Sequence, residues 1–216
     1  MKKNIIRYSK KIYFNGLLVS IFKKIIPLIL IFFNTNIKKV EGQIPQKGPL
    51  LIVAHHEELT DQFILGLPIK RRLFWIADTT SPHHPGSLAD AKFVKWLLLR
   101  FGAIPIDKKR PERNYHLFDY LLYLLDKGES IVFFPEEYLR SERDGKRFGS
   151  FKDGVISLAL DYRERFKKDI PIYPVGLKYL KKNGLTESYI RIGDKIIINN
   201  KQDRKKVFNK VIELSS

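Results

Sequence analysis

No cysteine occurs in the 216 residues. That absence excludes disulfides, a thiolate nucleophile and any thiolate-ligated metal, and it fits a reducing compartment. Acidic residues are missing from the first forty positions, where Lys2, Lys3, Arg7, Lys10, Lys11, Lys23, Lys24, Lys38 and Lys39 precede the first acid, Glu41. Long apolar runs are missing too. The blocks at 13–22 and 25–33 are each about ten residues, roughly 15 Å as helix against the ~30 Å of a hydrocarbon core, so neither spans alone. Joining them would bury Lys23 and Lys24 near mid-bilayer at roughly 2.5–3.5 kcal/mol each, with Pro27 adding a kink. The pattern predicts two short helices in one leaflet, with lysines among the headgroups and Leu, Ile and Phe among the acyl chains. A helical hairpin packed on the domain is the alternative. No small-residue cleavage site follows the apolar run, which argues against a signal peptide. With no repeat and no low-complexity linker, the chain divides into an N-terminal membrane-associating segment, 1–39, and one domain, 40–216.

What is present is a globular composition, 44% hydrophobic and 12% aromatic, with a net charge of +17. Such a charge points to an anionic partner, either a membrane surface or nucleic acid. The basic residues alternate with aliphatic blocks, and no nucleic-acid-binding motif is recognisable, so an anionic membrane is the expected partner and nucleic acid is not.

Chemistry concentrates behind the apolar run at 49–54, which reads as a buried strand. It is followed by His55, His56, Glu57, Glu58 and, after Leu59 and Thr60, Asp61. The ends of strands in α/β sheets are where sites gather. Four residues separate His56 from Asp61, so a strand-to-helix turn can return the carboxylate onto the imidazole, the base-plus-orienter pair of acyl transfer. A zinc site from His55, His56 and Asp61 fits poorly, because adjacent histidines leave a strand on opposite faces. His83 and His84 lie in a Ser- and Pro-rich stretch and read as solvated loop residues.

Further strands are predicted at 72–78, 103–107, 131–134 and 170–177, the last flanked by prolines and placed near a sheet edge. A hairpin at 189–198 would turn at Gly193-Asp194. Capping-box spacings at Ser87–Asp90 and Ser150–Asp153 open helices, a third helix fills 115–127, and a basic amphipathic helix closes the chain. Cations crowd two strand exits: Lys108, Lys109, Arg110 and Arg113 after one, Arg140 beside Glu136 and Glu137 after the other. Such clusters suit a phosphate.

Four blocks thus stand in order at strand ends: His56-x4-Asp61, 102–108, 134–136 and 170–175. As an ordered set they resemble the 1-acylglycerol-3-phosphate acyltransferases, a glycerolipid acyltransferase family, over about 40–175. The resemblance implies an α/β fold of the glycerol-3-phosphate acyltransferase type: a single domain whose mixed, largely parallel sheet is flanked by helices and preceded by a short membrane-binding helical hairpin. It implies His56 as base and Asp61 as its partner. It implies a phosphate contact from Lys108, where Arg is usual, a Glu at 136, and an acceptor and acyl-chain region around Pro171 and Pro174. The chain departs from the family pattern at His55, where Asn is usual, and at Glu58, where Ser is common. It departs again at 137–140, which lack the usual Gly-Thr-Arg and place Arg140 a couple of residues late.

The expected reaction moves a fatty acyl group from acyl-CoA or acyl-acyl carrier protein to a lysophospholipid hydroxyl, with 1-acylglycerol-3-phosphate giving phosphatidate. His56, oriented by Asp61, takes the proton; Lys108, with Arg110 or Arg140, clamps the phosphate; Glu136 holds an acceptor hydroxyl or orients a cation. No cofactor beyond the thioester co-substrate is expected, and no metal. The place expected is the cytoplasmic face of the membrane. A different lysolipid acceptor such as a lyso-ornithine lipid, an inactive relative and a nucleic-acid-binding protein are the alternatives.

Overall fold

The computed structural model describes residues 16–32, 34–58, 60–78, 98–106, 114, 116–136 and 147–216. Seven strands form one sheet: β1 (Thr35–Glu41), β2 (Leu50–Ala54), β3 (Leu73–Asp78), β4 (Ala103–Ile106), β5 (Ser130–Phe133), β6 (Ile172–Lys182) and β7 (Leu185–Ile192). Their order is β1-β7-β6-β2-β5-β3-β4. Every neighbouring pair is parallel except β6 and β7. The architecture is the mixed, largely parallel α/β domain that the block pattern implied.

Burial on both faces explains why β2 and β5 read as unbroken buried runs rather than alternating ones. Leu51 and Val53 face α3 (Leu117–Asp126), α4 (Gly154–Phe166) and α5 (Arg204–Ser215). Leu50, Ile52 and Ala54 face α1 (Gly16–Phe32) and α2 (Asp61–Gly66). Full burial of each such aliphatic side chain is worth about 1.5–3 kcal/mol. From β2 the chain passes to one side for β3, β4 and β5, then crosses to the other for β6. The carboxyl end of β2 therefore lies at the switch point, where a crevice opens in sheets of this kind.

Several expectations are corrected. The two apolar blocks of the N-terminus do not form separate helices, since α1 runs unbroken from Gly16 through Lys23, Lys24 and Pro27 to Phe32. Ile26 and Leu30 are buried against the domain, and Lys23 Nζ donates to the Ile69 carbonyl at 2.9 Å. Burial in that position lowers the Lys23 pKa. Lys23 is thus spent on docking the helix rather than on headgroups. Residues 1–15 of the predicted hairpin lie outside the described residues, and β1 joins the sheet from Thr35, ahead of position 40.

The strand carrying Pro174 is interior, not near an edge. Pro174 is tolerated because it stands one residue ahead of Val175–Lys182, the run that pairs with β7, so its missing N–H breaks no antiparallel rung. The hairpin turns at Asn183 and Gly184, both with positive φ, instead of at Gly193-Asp194. At the start of α4 the N-cap is Asp153, without a capping side-chain bond, and its carboxylate pairs with Arg204 at 2.9 Å. The capping box predicted from Ser150 is therefore not formed.

Candidate active site

β2 delivers two histidines to one turn with opposite fates. His55 is fully buried, whereas 18% of the His56 side chain remains accessible. The alternation of a strand continues one residue past its end, so consecutive imidazoles diverge. The turn then tightens, with Asp61 N donating to the Glu58 carbonyl at 3.1 Å, and α2 starts on Asp61. That geometry folds the carboxylate back toward the strand end.

Asp61 Oδ2 sits 2.8 Å from His56 Nδ1 and accepts the backbone N–H groups of Glu57 at 2.7 Å and Glu58 at 3.0 Å. Its Oδ1 accepts the hydroxyl of Tyr179. The side chain is fully buried, and a buried carboxylate is tolerable only when its lone pairs are filled as these are. With an acceptor-only group opposite it, Nδ1 carries the ring proton, and Nε2 of neutral His56 becomes the basic nitrogen. The ring is steadied by Phe134, whose centroid lies 4.6 Å away. Tyr179 is pushed well above the usual tyrosine range by burial and by the charge of Asp61, so it remains an O–H donor.

His55 builds a second constellation beneath the first. Its Nδ1 is 2.6 Å from Glu136 Oε1, its Nε2 is 3.5 Å from Glu57 Oε2, and its ring packs on Phe148 at 4.7 Å. Glu136 Oε2 also accepts Gly149 N at 3.4 Å. Burial works to lower the His55 pKa, but the flanking carboxylates Glu136 and Glu57 outweigh it and hold the pKa above 6.5.

The structure brings His56 and Asp61 together as the spacing implied, and places Glu136, from the exit of β5, against His55. Pro171 and Pro174 contribute backbone bonds, their carbonyls accepting Leu51 N at 3.0 Å and Gly193 N at 2.9 Å. Lys108, Arg110, Arg140, His83 and His84 lie outside the described residues. Among the described residues no group of three or more His, Asp or Glu is arranged to hold a metal. Sequence reasoning missed Tyr179, which sits 118 positions from Asp61 with no local pattern to mark it. It also missed the His55–Glu136 contact, although both residues flank predicted strands.

Beside α2 a small apolar crevice of about 40 Å³ lies between α1 and the sheet, walled by Val19, Ile26, Phe63, Trp75 and Phe101. Gln62 and Phe63, the two residues after Asp61, belong to its rim.

A family model described as Acyltransferase matches residues 37–178. Among curated proteins, "1-acyl-sn-glycerol-3-phosphate acyltransferase LPAT1, chloroplastic" of Arabidopsis thaliana is 25% identical over 146 residues, 68% of this chain and 36% of that protein. The corresponding BAT2 protein of Brassica napus is 25% identical over 146 residues, 68% of this chain and 38% of its own length. The match therefore spans little more than a third of those relatives. Among solved structures, the 1-acyl-sn-glycerophosphate (LPA) acyltransferase PlsC of Thermotoga maritima aligns with a TM-score of 0.62 at 20% identity, covering 92% of this chain and 80% of that one.

Proposed function

This chain belongs to the acyltransferase family, and from that membership we propose that it moves a fatty acyl group from a thioester to the hydroxyl of a lysophospholipid, 1-acylglycerol-3-phosphate first among them. The observation that carries the reading is the 2.8 Å contact of His56 Nδ1 with a buried Asp61 whose carboxylate is held by three other donors.

In the proposed reaction His56 Nε2 takes the proton of the acceptor hydroxyl as its oxygen attacks the carbonyl carbon of acyl-CoA or acyl-acyl carrier protein. The tetrahedral intermediate collapses, the carbon–sulfur bond breaks, and the imidazolium returns its proton to the departing thiolate. The products are the diacyl lipid and the free thiol, and the balance closes without a cofactor. General-base help of this kind contributes roughly 10²–10⁴ in rate, the remainder coming from positioning. Lys108 is assigned to the acceptor phosphate by the family resemblance, with Arg110 or Arg140 as the second cation from the charged strand exits, and Pro171 and Pro174 are assigned to the acceptor and acyl-chain region.

We assign the membrane contact to α1. Its outer face exposes Ile21, Ile25, Leu28 and Ile31, the last two 66% exposed, next to the exposed Lys24. Among the described residues no helix is long and apolar enough to cross a bilayer, so the helix would lie along an anionic surface, on the cytoplasmic side where acyl thioesters are found.

The test is incubation of the purified protein with oleoyl-CoA and a panel of lysolipids, lysophosphatidate and a lyso-ornithine lipid included, with products identified by mass spectrometry. Phosphatidate as the main product supports the reading; a phosphate-free product moves the acceptor assignment to the altered third block. Near wild-type turnover by His56→Ala would reject the base.

A further inference from the structure

The acyl transfer proposed above employs His56 and Asp61 and gives no task to His55, Glu57 and Glu136, which are 0%, 4% and 2% exposed. Burying titratable groups side by side is costly unless opposite charges and hydrogen bonds offset the loss of water. Glu136 Oε1 stands 2.6 Å from one ring nitrogen of His55 and Glu57 Oε2 stands 3.5 Å from the other. A neutral imidazole has one N–H and would turn its remaining lone pair toward a carboxylate, whereas an imidazolium presents an N–H to each. The 2.6 Å contact is a hydrogen bond and the 3.5 Å contact an ion-pair distance without one, so with both carboxylates ionised the arrangement favours the cation.

Its neighbours are consistent with a fixed, dry position. From the segment behind β5 and before α4, Phe148 lies on the His55 ring, Gly149 N donates to Glu136, and the Arg147 guanidinium lies over the Phe148 ring at 5.3 Å. On its own turn the charged groups are Glu57 and, through the Glu57 backbone, Asp61. Glu57 is the hinge of the arrangement, since its side chain faces His55 while its N–H donates to Asp61 Oδ2 at 2.7 Å.

We propose that His55 is a positioning residue: a buried imidazolium that staples the 55–61 turn to the exit of β5 through Glu57 and Glu136, and so holds Asp61 and His56 in register. The proposal rests on the reading of His56 as base and gives Glu136 a task different from contact with the acceptor. Asn, usual in the family at this position, carries no charge and cannot serve two carboxylates in the same way. In this chain the first and third blocks are joined electrostatically.

The decisive measurement is on the full chain with ¹⁵N-labelled histidine. NMR at pH 8, above the ordinary histidine pKa of about 6.5, should show one residue with both ring nitrogens protonated. Its signals should vanish in His55→Asn. Should that variant not fold, single Gln variants of His56, His83, His84 and His116 assign the resonance by elimination. A neutral tautomer at His55 at this pH would overturn the proposal.

The kinetic arm uses 1-oleoyl-lysophosphatidate and oleoyl-CoA. Glu57→Gln should lower kcat by about 10²-fold, the size expected of a small misplacement of the base, with the acceptor KM little changed. Because a carboxylate that raises the His55 pKa is lost, the alkaline fall of kcat should also move to lower pH. His55→Asn should fall similarly and regain at least tenfold on adding Glu136→Gln, which sets an amide rather than a carboxylate opposite the asparagine. An unchanged kcat and pH profile in Glu57→Gln and His55→Asn would refute the positioning role. A wild-type protein that makes no phosphatidate but shows the imidazolium would instead fail the acyl-transfer reading alone.

Discussion

Tyr179, on β6, donates its hydroxyl to Oδ1 of Asp61, so the carboxylate that orients His56 is gripped on both oxygens by different parts of the chain. One grip is local, from the 55–61 turn, and the other arrives across the sheet from the antiparallel hairpin. The hairpin thereby becomes part of the site, although its own residues are mostly those of an ordinary strand pair. Burial and the charge of Asp61 keep the phenol protonated, which leaves it a donor throughout the physiological range.

Tyr179→Phe tests that second grip. The ring is retained and a single O–H is lost, so a buried carboxylate oxygen is left short of a donor at a cost of about 1–3 kcal/mol. The midpoint of urea unfolding should fall without a change in slope. Turnover should drop while the acceptor KM holds, because in the proposed reaction Asp61 acts on His56 and not on the lipid.

Asp61→Asn probes the first grip. Asparagine is nearly isosteric but has one oxygen: at the Oδ2 place it keeps His56 Nδ1 and the N–H groups of Glu57 and Glu58 and turns its amide N–H₂ to the Tyr179 hydroxyl, and it carries no charge. The imidazolium formed when His56 takes a proton then loses its anionic partner. A kcat reduced by roughly 10²–10⁴ is expected, the span usual for general-base help. Circular dichroism checks that the fold persists, and activity within a few fold of wild type would contradict the pairing.

The features legible in the sequence were those carried by contiguous residues. The run at 49–54 announced β2 because a strand covered on both faces needs unbroken apolar residues, and the five positions of β2 are all buried. The His56–Asp61 pair was legible because four intervening residues are what one tight turn requires. Partners brought together by topology left no such trace: Glu136 meets His55 across 81 positions. The break expected at Lys23-Lys24 failed for a related reason, since the lysine that would interrupt a membrane helix is accommodated by a carbonyl of the domain, at Ile69. Pro174 misled because its ring was weighed against a full ladder, whereas β7 pairs only from Val175 onward.

Gly176 on β6 sets how closely α5 can approach the sheet. A methyl group there would stand well inside van der Waals contact with the backbone of Leu214 and Ser215. Backbone cannot swing aside as a flexible side chain does, so Gly176→Ala must lift the end of α5 off β6. Overpacking of this kind costs about 1–3 kcal/mol. Denaturant unfolding should report a loss in that range. Gly184→Ala, in the open turn between β6 and β7, is the comparison: nothing crowds its Cβ, but its positive φ still imposes a smaller penalty.

The outer face of α1 offers the last test. Ile21, Ile25, Leu28 and Ile31 recur at intervals of four and three residues and so share one side of the helix, while Ile26 and Leu30 hold the opposite side to the domain. Substituting Leu28→Asp and Ile31→Asp changes only the exposed side, and the fold should unfold at the same denaturant concentration as wild type. Binding to vesicles containing anionic lipid should nonetheless weaken by an order of magnitude or more, since each change removes about 1.5–3 kcal/mol of apolar contact and adds a repelled charge. Flotation of the two proteins with the same vesicles, at low and at high salt, separates the contributions. Loss with salt alone would assign binding to the cations, whereas binding that survives salt in the wild type and disappears in the double variant would assign it to the helix. Turnover of a lysolipid presented in those vesicles should fall in parallel, while turnover of the same lipid below its micellar concentration should not.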